Sequence, residues 1–518
     1  MNSRLSSWKE IAAHFRVSVR TVQRWEKEEG LPVSRHPHSR LSSVFAERSQ
    51  LDEWFAGRTA VSARNPQEPL SSVEAVANCS IAVLPFENPD GDPETEILAD
   101  GLTGELIEAL QRTPGLHVVA HASSFSLKNH PLPLRLYSTS LGARFALAGS
   151  IQKSVRGLQV SAYLTHTTEG VHHWSHRMDR PVADLPAIPR EIVYAVTGKL
   201  RIHQSPSAAM SPLSSRAPND FEIYRLYFKG QHFLRGRRSR GLQTAIECFT
   251  RLLAMDPTFA AAWARLADCH LRMANFALAP VVHSAELARQ AARKAVEFDR
   301  SLAEAHATLA FLAAALDYDW ASSERQFQLA LRLRPEVPEI HGIFAGILLS
   351  QGRFDETELE IAAVRHTDPL NPFIGNTAGF LAICRRQYQR AAAAFREILQ
   401  REPDQPYALY WMAETHLLEG RFDEAAAFAS STGMPSFGAG LQAFAYCKLG
   451  RLAEAISIRT GMESLEPPPA LQIALACLAI GDLDKTFYWL ERAIELRSLG
   501  IHWITVDPLC DQARPDLR

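Results

Sequence analysis

Prolines recur in this chain at a fixed interval. Pro335, Pro369 and Pro403 stand 34 residues apart, and Pro435 and Pro467 continue the series at 32. Pro257 precedes Pro335 by 78 residues, two periods plus an insertion around "ANFALAPVVHS" (274–284). The prolines close the amphipathic stretches "FTRLLAMDP", "FQLALRLRP", "IAAVRHTDP" and "FREILQREP", and between them recur "QGRFDET", "EGRFDEA", "LGRLAEA" and "IGDLDKT". The unit is helix, turn, helix, proline. Two such helices cannot bury their apolar faces alone, so neighbouring units must stack into an α-solenoid.

The 34-residue unit resembles the tetratricopeptide repeat (TPR), with seven or eight copies over 219–500. Trp263, Leu266, Ala267, Leu309 and Ala310 take the family's places on first helices, and Ala245, Phe249, Ala391 and Phe395 those on second helices. Arg386 stands where a turn glycine is usual. The resemblance implies that first helices line a concave groove for a protein or peptide partner. Arg265, Asp268, Arg272, Asn376, Phe380, Tyr407, Tyr410 and Glu414 are the expected groove residues, a mixture of aromatic and charged groups suited to a peptide. The alternative is that the aromatics pack between repeats and the charges are solvated. The Lys/Asn clamp that some relatives use for a C-terminal carboxylate is not assembled by Asn376 alone.

With 518 residues, the chain needs more than one core. Residues 59–78 and 204–218 are Pro/Ser-rich and lack an apolar period, so they read as linkers. They divide the chain into 1–58, 79–203 and 219–518. The net charge of −2 excludes a strongly basic polymer-binding chain, but residues 1–58 hold ten Lys/Arg against seven Asp/Glu. Seven scattered cysteines without a C-x-x-C point to a reducing compartment. No apolar run approaches the roughly 18 residues of a membrane helix. A cytoplasmic protein without membrane contact is expected.

In "SWKEIAAHFRVSVRTVQRWEKEEG" (7–30), Ile11 and Phe15 lie on one short helix, Val22 and Trp25 on a second, with Ser18 as cap. Helices so short, joined by so few residues, cross steeply. With a hairpin in "LPVSRHPHSRLSSVF" (31–45) and a helix in "SQLDEWF" (49–55), the segment resembles a winged, MerR- or excisionase-like helix-turn-helix, though Arg16 replaces the usual turn glycine. The resemblance implies double-stranded DNA as partner. Ser18, Arg20, Thr21, Gln23 and Arg24 would enter the major groove, and Arg35, His36, His38 and Arg40 would meet the neighbouring backbone or the minor groove. One such module buries too little surface for strong specificity, so a homodimer or partners on the DNA is expected.

The middle segment alternates buried-strand and helix patterns in the order β-α-β-α-β-β-β-α, a small α/β sandwich. "SIAVLPFEN…LADGLTGELIEAL" and "GARFALAGSIQKS…LQVSAYLTHTTEGVHHWSHRMDR" resemble the TolB N-terminal-like domain, which implies a non-catalytic interaction or sensory role. Ser150-x-x-Lys153 falls in a strand, not at a helix start. His172, His173 and His176 are too far apart on a strand for one ion, and His36 and His38 lack further ligands at metal spacing. No catalytic residue, metal or cofactor is expected.

The fold class is therefore multidomain and mainly α: a winged helix-turn-helix, a small α/β sandwich and an α-solenoid of helix pairs. The functional expectation is a DNA-binding transcriptional regulator whose repeats hold a partner. The alternative is a scaffold or adaptor that does not bind DNA.

Overall fold

The computed structural model describes residues 4–5, 7–14, 22, 26, 31–35, 44–47, 50–51, 79–128, 133–155, 157–202, 221–235, 239–275, 278–365, 367–433 and 436–515. They form two compact units, Met1–Ala75 and Val76–Arg518.

In the first unit, strands β1 (Arg4–Leu5), β2 (Ser34–Arg35) and β3 (Val44–Glu47) form an antiparallel sheet in the order β1-β3-β2. Helix α1 (Trp8–His14) begins where Ser7 Oγ accepts the Glu10 N–H. Leu5, Ile11, Val22, Leu31, Val44, Ala46 and Leu51 form the core. Ile11 and Val22 are thus buried together as the apolar spacing predicts, while β1 has no counterpart in the expected hairpin. Ser18, Arg20, Thr21, Gln23, Arg24, His36, His38 and Arg40 lie outside the described residues, as do Phe15, Val17 and Trp25. Arg35 stands in β2.

The second unit begins with a five-stranded sheet. Strands β4 (Ser80–Val83), β5 (His117–Val118), β6 (Phe145–Ser154), β7 (Gly157–His166) and β8 (His172–Arg180) pair in the order β5-β4-β6-β7-β8. β4 is parallel to both its neighbours, and β6, β7 and β8 run antiparallel. Helix α2 (Pro93–Gln111) starts at Pro93, with the Asp92 carboxylate accepting the Thr95 N–H at 2.9 Å. Its Leu98, Leu102, Leu106 and Leu110 are buried. α3 (His121–Phe125) is an additional short helix that the sequence pattern does not reveal, followed by α4 (Leu134–Leu141). α5 (Ile188–Lys199) is preceded by a 3-10 turn, Val182–Ala187; the apolar pattern of the sequence places the helix start near Asp184. Pro186 and Pro189 explain the delay, because each lacks the N–H that a continuing helix needs. Ser150 and Lys153 lie within β6, and His172, His173 and His176 are exposed on β8.

Eight antiparallel helix pairs follow among the described residues: α6 (Phe221–Arg235) with α7 (Ser239–Met255), α8 (Ala260–Asn275) with α9 (Val281–Phe298), α10 (Ala303–Ala315) with α11 (Trp320–Leu333), α12 (Pro338–Ser350) with α13 (Phe354–Arg365), α14 (Pro372–Cys384) with α15 (Tyr388–Arg401), α16 (Pro406–Leu418) with α17 (Phe422–Ser430), α18 (Ala439–Lys448) with α19 (Leu452–Glu463), and α20 (Ala470–Ile480) with α21 (Leu483–Glu495). Each 34-residue period carries two structural signals. Pro338, Pro372 and Pro406 open first helices, where the missing N–H is harmless. Gly352, Gly420, Gly450 and Gly481 close them with φ between 73° and 86°. Arg386 occupies the same turn at φ 60°, a conformation that costs an L-residue about 1 kcal/mol.

Within a pair, small residues face aromatic rings. A Cβ on Gly379 would lie 2.4 Å from the Phe395 ring, and one on Gly230 would lie 2.6 Å from Phe249. The same device joins the α/β domain to the solenoid, since a Cβ on Gly101 of α2 would lie 2.1 Å from the Phe228 ring of α6. One apolar cluster therefore runs from Ile81 through Phe228 and Phe249 to Ala292. In an unobstructed helix, Gly→Ala adds stability of up to about 1 kcal/mol. Here Gly101→Ala is expected to do the reverse and destabilise by about 1–3 kcal/mol through overpacking. Urea unfolding of the full chain measures the sign.

Candidate partner groove

First helices pack on one another from repeat to repeat, α8 on α10, α10 on α12, α12 on α14, α14 on α16 and α16 on α18. They line the inside of the solenoid's curve. The curve returns far enough for Tyr407 Oη on α16 to donate to the Asn275 carbonyl at the end of α8, at 3.4 Å. All eight expected groove residues lie on first helices, and the chain itself engages most of them.

At the front of the inner face, Arg265 Nη2 donates to Glu108 Oε1 of α2 at 3.1 Å, so this arginine holds the α/β domain. Arg272 Nε donates to Asp268 Oδ1 one turn away at 3.0 Å. A second anchor lies between α13 and α14. Asp368, only 1% exposed, accepts from the Ser123 backbone N–H at 2.9 Å and from the Ser123 hydroxyl at 2.6 Å. Asn371 Nδ2 donates to its other oxygen at 2.6 Å, and Ser123 Oγ accepts the Leu370 N–H at 2.9 Å. Ala120 N–H donates to the Thr367 carbonyl at 2.8 Å. Burial pushes the Asp368 carboxyl upward, opposed by the hydrogen bonds from Ser123 and Asn371. Sequence reading missed this anchor because its two halves lie 245 residues apart.

At the rear, the inner face is covered by residues 499–515, which contain 3-10 turns at Ile501–Trp503 and Pro508–Cys510. Phe380, 1% exposed, stacks on Trp411 at 4.1 Å and meets Trp503 at 5.2 Å. Tyr410 packs on Phe437 at 4.7 Å. Asn376 is buried, and its Oδ1 has no hydrogen-bond partner among the described residues. Thr505 Oγ1 donates to the Ser350 carbonyl at 3.2 Å, and Gln512 Nε2 to the Leu478 carbonyl at 3.3 Å. Arg386 pairs with Asp511. Arg497, just before the segment, reaches the Leu316 carbonyl. The segment thus touches first-helix ends from α10 to α20. "IHWITVDPLC", an apolar-aromatic stretch beyond the last helix pattern, was its one visible signal.

Glu414 is fully buried, and among the described residues neither of its oxygens meets a donor other than a shared carboxyl proton. It faces the Asp507 carboxyl. Burial, reinforced by Asp507, pushes the Glu414 carboxyl well above the usual range, and burial pushes Asp507 up to about 6. Two carboxylates are acceptors only, and one must take a proton before they can bond. The segment's own His502 is lowered to about 4 by burial.

Residues 232–280 and 385–434 match models of the tetratricopeptide repeat. The pairs within these spans match TPR units, the array is a TPR-like solenoid, and such repeats indicate a scaffold for protein–protein interaction. A protein of Rhizobium meliloti (strain 1021) named "Putative adenylate cyclase 3" is 32% identical over 235 residues, 45% of this chain and 40% of that protein. The chain thus spans less than half the length of this relative. Among solved structures, pilF of Pseudomonas aeruginosa (18% identity, TM-score 0.33) aligns over 45% of this chain and 98% of its own. Human IFIT1 (14%, TM-score 0.40) aligns over 60% and 78%. Yeast Tom70 (14%, TM-score 0.37) aligns over 64% and 79%. No described helix is long and apolar enough to cross a membrane.

The buried carboxyl pair has a measurable signature. Folded Glu414 keeps a proton that the unfolded chain releases above its ordinary pKa of about 4.3. Wild type therefore loses stability as pH rises from that value through the raised folded pKa. Glu414→Gln has no proton to hold, so its stability relative to wild type is expected to increase from pH 5 to pH 8. The limiting slope is about 1.4 kcal/mol per pH unit. His502 is common to both chains and cancels. Paired thermal melts across this range give the difference, and parallel curves would contradict it.

Proposed function

We propose that this protein is a TPR adaptor that holds a protein or peptide partner on its inner face, with the α/β domain docked as part of the binding platform. The observation that carries this reading is the row of first helices from α8 to α18 packed one on the next into a single inner face, whose rear residues Phe380, Tyr410 and Glu414 are covered by the chain's own segment 499–515. The cyclase named in the Rhizobium relative stays with that protein; in our reading, the shared 235 residues are a non-catalytic region. To test the adaptor reading, a photo-cross-linking residue is placed at Tyr407 on the inner face, and separately at Tyr194 and Tyr488, which are 74% and 54% exposed elsewhere. A discrete adduct confined to the Tyr407 variant is expected in the native host. Equal adducts at all three positions would refute an inner-face partner.

A second reading has its own support. The first unit buries Ile11 and Val22 beside a three-stranded sheet, as a winged helix-turn-helix would. In this reading Ser18, Arg20, Thr21, Gln23 and Arg24 contact duplex DNA, with Arg35, His36 and Arg40 on the flanking backbone, and the adaptor is a cytoplasmic transcriptional regulator. Fluorescence anisotropy of the full chain with duplex DNA should show affinity falling steeply with salt. Arg20→Ala with Arg24→Ala should reduce binding at least tenfold. Undiminished binding, or none in wild type, would leave the first unit as a protein-binding module.

A further inference from the structure

The segment that covers the rear of the groove fits it incompletely. Its Trp503 ring meets both Phe380 and Trp411, at 5.2 and 5.5 Å. Yet the buried Trp503 Nε1 and His502 Nδ1 have no partner among the described residues. Beneath the segment, both oxygens of Glu414 are buried away from any N–H donor of the described residues, and the group presented to them, Asp507, is another acid that bonds to Glu414 only through a shared proton. The neighbouring titratable groups do not relieve the opposition. Tyr410, Cys384 and Cys510 are all held neutral by burial. Arg514 favours the charged form of Asp507, and Asp511 opposes it. The segment offers Glu414 no cation, and the pair depends on a held proton.

A covalent tether makes such a fit sustainable. A segment attached to its own groove acts at a high effective concentration and stays bound despite poor complementarity. A free ligand has no such advantage and must be chemically better. Better here means a cation opposite Glu414, because an ammonium or guanidinium donates to the carboxylate directly and needs no shared proton.

We propose that residues 499–515 are a self-ligand in the partner groove, and that the partner displacing them is a peptide segment with an aromatic side chain in the place of Trp503 and a lysine or arginine in the place of Asp507. This rests on the adaptor reading above and narrows its partner class. The self-ligand then acts as a filter, so that only a segment with the complementary cation outcompetes the tethered one.

Three fluorescein-labelled peptides spanning residues 497–515 test this: the native sequence, Asp507→Asn and Asp507→Lys. They are titrated by anisotropy against the full chain carrying Trp503→Ala, which loosens the attached segment. The expected affinity order is Lys, then Asn, then Asp, with at least tenfold between the extremes. The Lys preference should vanish when the full chain also carries Glu414→Gln. Native-peptide binding equal to that of the Lys peptide would overturn the proposal, as would a preference that survives Glu414→Gln or no binding by any peptide. If circular dichroism shows that Trp503→Ala unfolds the chain, wild type with a saturating concentration of the Lys peptide replaces it, read by hydrogen exchange. Amides of 501–514 should then lose protection, and unchanged protection would refute displacement. The peptides derive from the chain's own sequence, so failure of the cross-linking experiment leaves these outcomes interpretable. Absence of a cation preference equally leaves the adaptor reading standing.

Discussion

An aromatic ring seated on a residue with almost no side chain is the contact on which the solenoid depends. Phe395 over Gly379 and Phe249 over Gly230 bring paired helices closer than any larger residue allows. Ala245, Ala391 and Ala425, all fully buried, continue the same economy of size on second helices. Each pair still has a second apolar face, which only the next pair covers. Cohesion is therefore a chain of nearest-neighbour interfaces rather than one central core. The α/β domain joins that chain by the same contact. Gly101 receives Phe228, and the apolar cluster passes from sheet to repeat without interruption.

Stacking pairs with small residues inside makes the array curve, and curvature creates an inner face. Repeats usually discussed as open platforms here face inward onto their own chain. The front is held by polar anchors, Arg265 on Glu108 and Asp368 on Ser123, while the rear is held by rings, Phe380 and Trp411 against Trp503. These are different kinds of attachment. Buried, satisfied hydrogen bonds of the Asp368 type fix one arrangement. Ring contacts impose no such directional bonds, and unpaired polar atoms lie beside them.

The Glu414–Asp507 pair marks where the local and the global requirements disagree. A buried acid facing another acid is a conflict that native structures rarely keep. Local opening is drawn from the least stable contacts of a fold, and the rear segment combines a proton requirement with two orphaned donors or acceptors. The conflict sits at Glu414, and the proposed choice among occupants rests on charge chemistry rather than shape for that reason.

Much of the architecture was legible in one dimension. A 34-residue period, prolines closing the second helices and a turn position that takes glycine are local signals, because helix ends and left-handed turns depend on residues close in sequence. They placed Phe249, Phe395 and all eight groove residues on the right class of helix. Arg386 was recognised as the odd residue in a glycine turn, and it adopts the glycine's conformation. Occupancy was not legible. Ser123 and Asp368 are 245 residues apart, Arg497 and Leu316 are 181, and no periodicity links them. Whether Phe380, Tyr410 and Glu414 meet solvent or a neighbour depends on how far the array curves. That is set by the sum of small inter-repeat rotations, a quantity no single repeat encodes. The sequence by itself determined the repeating unit and the face each side chain takes. Only the tertiary structure decided what lies on that face, because curvature accumulates over many repeats before it brings the chain back onto itself.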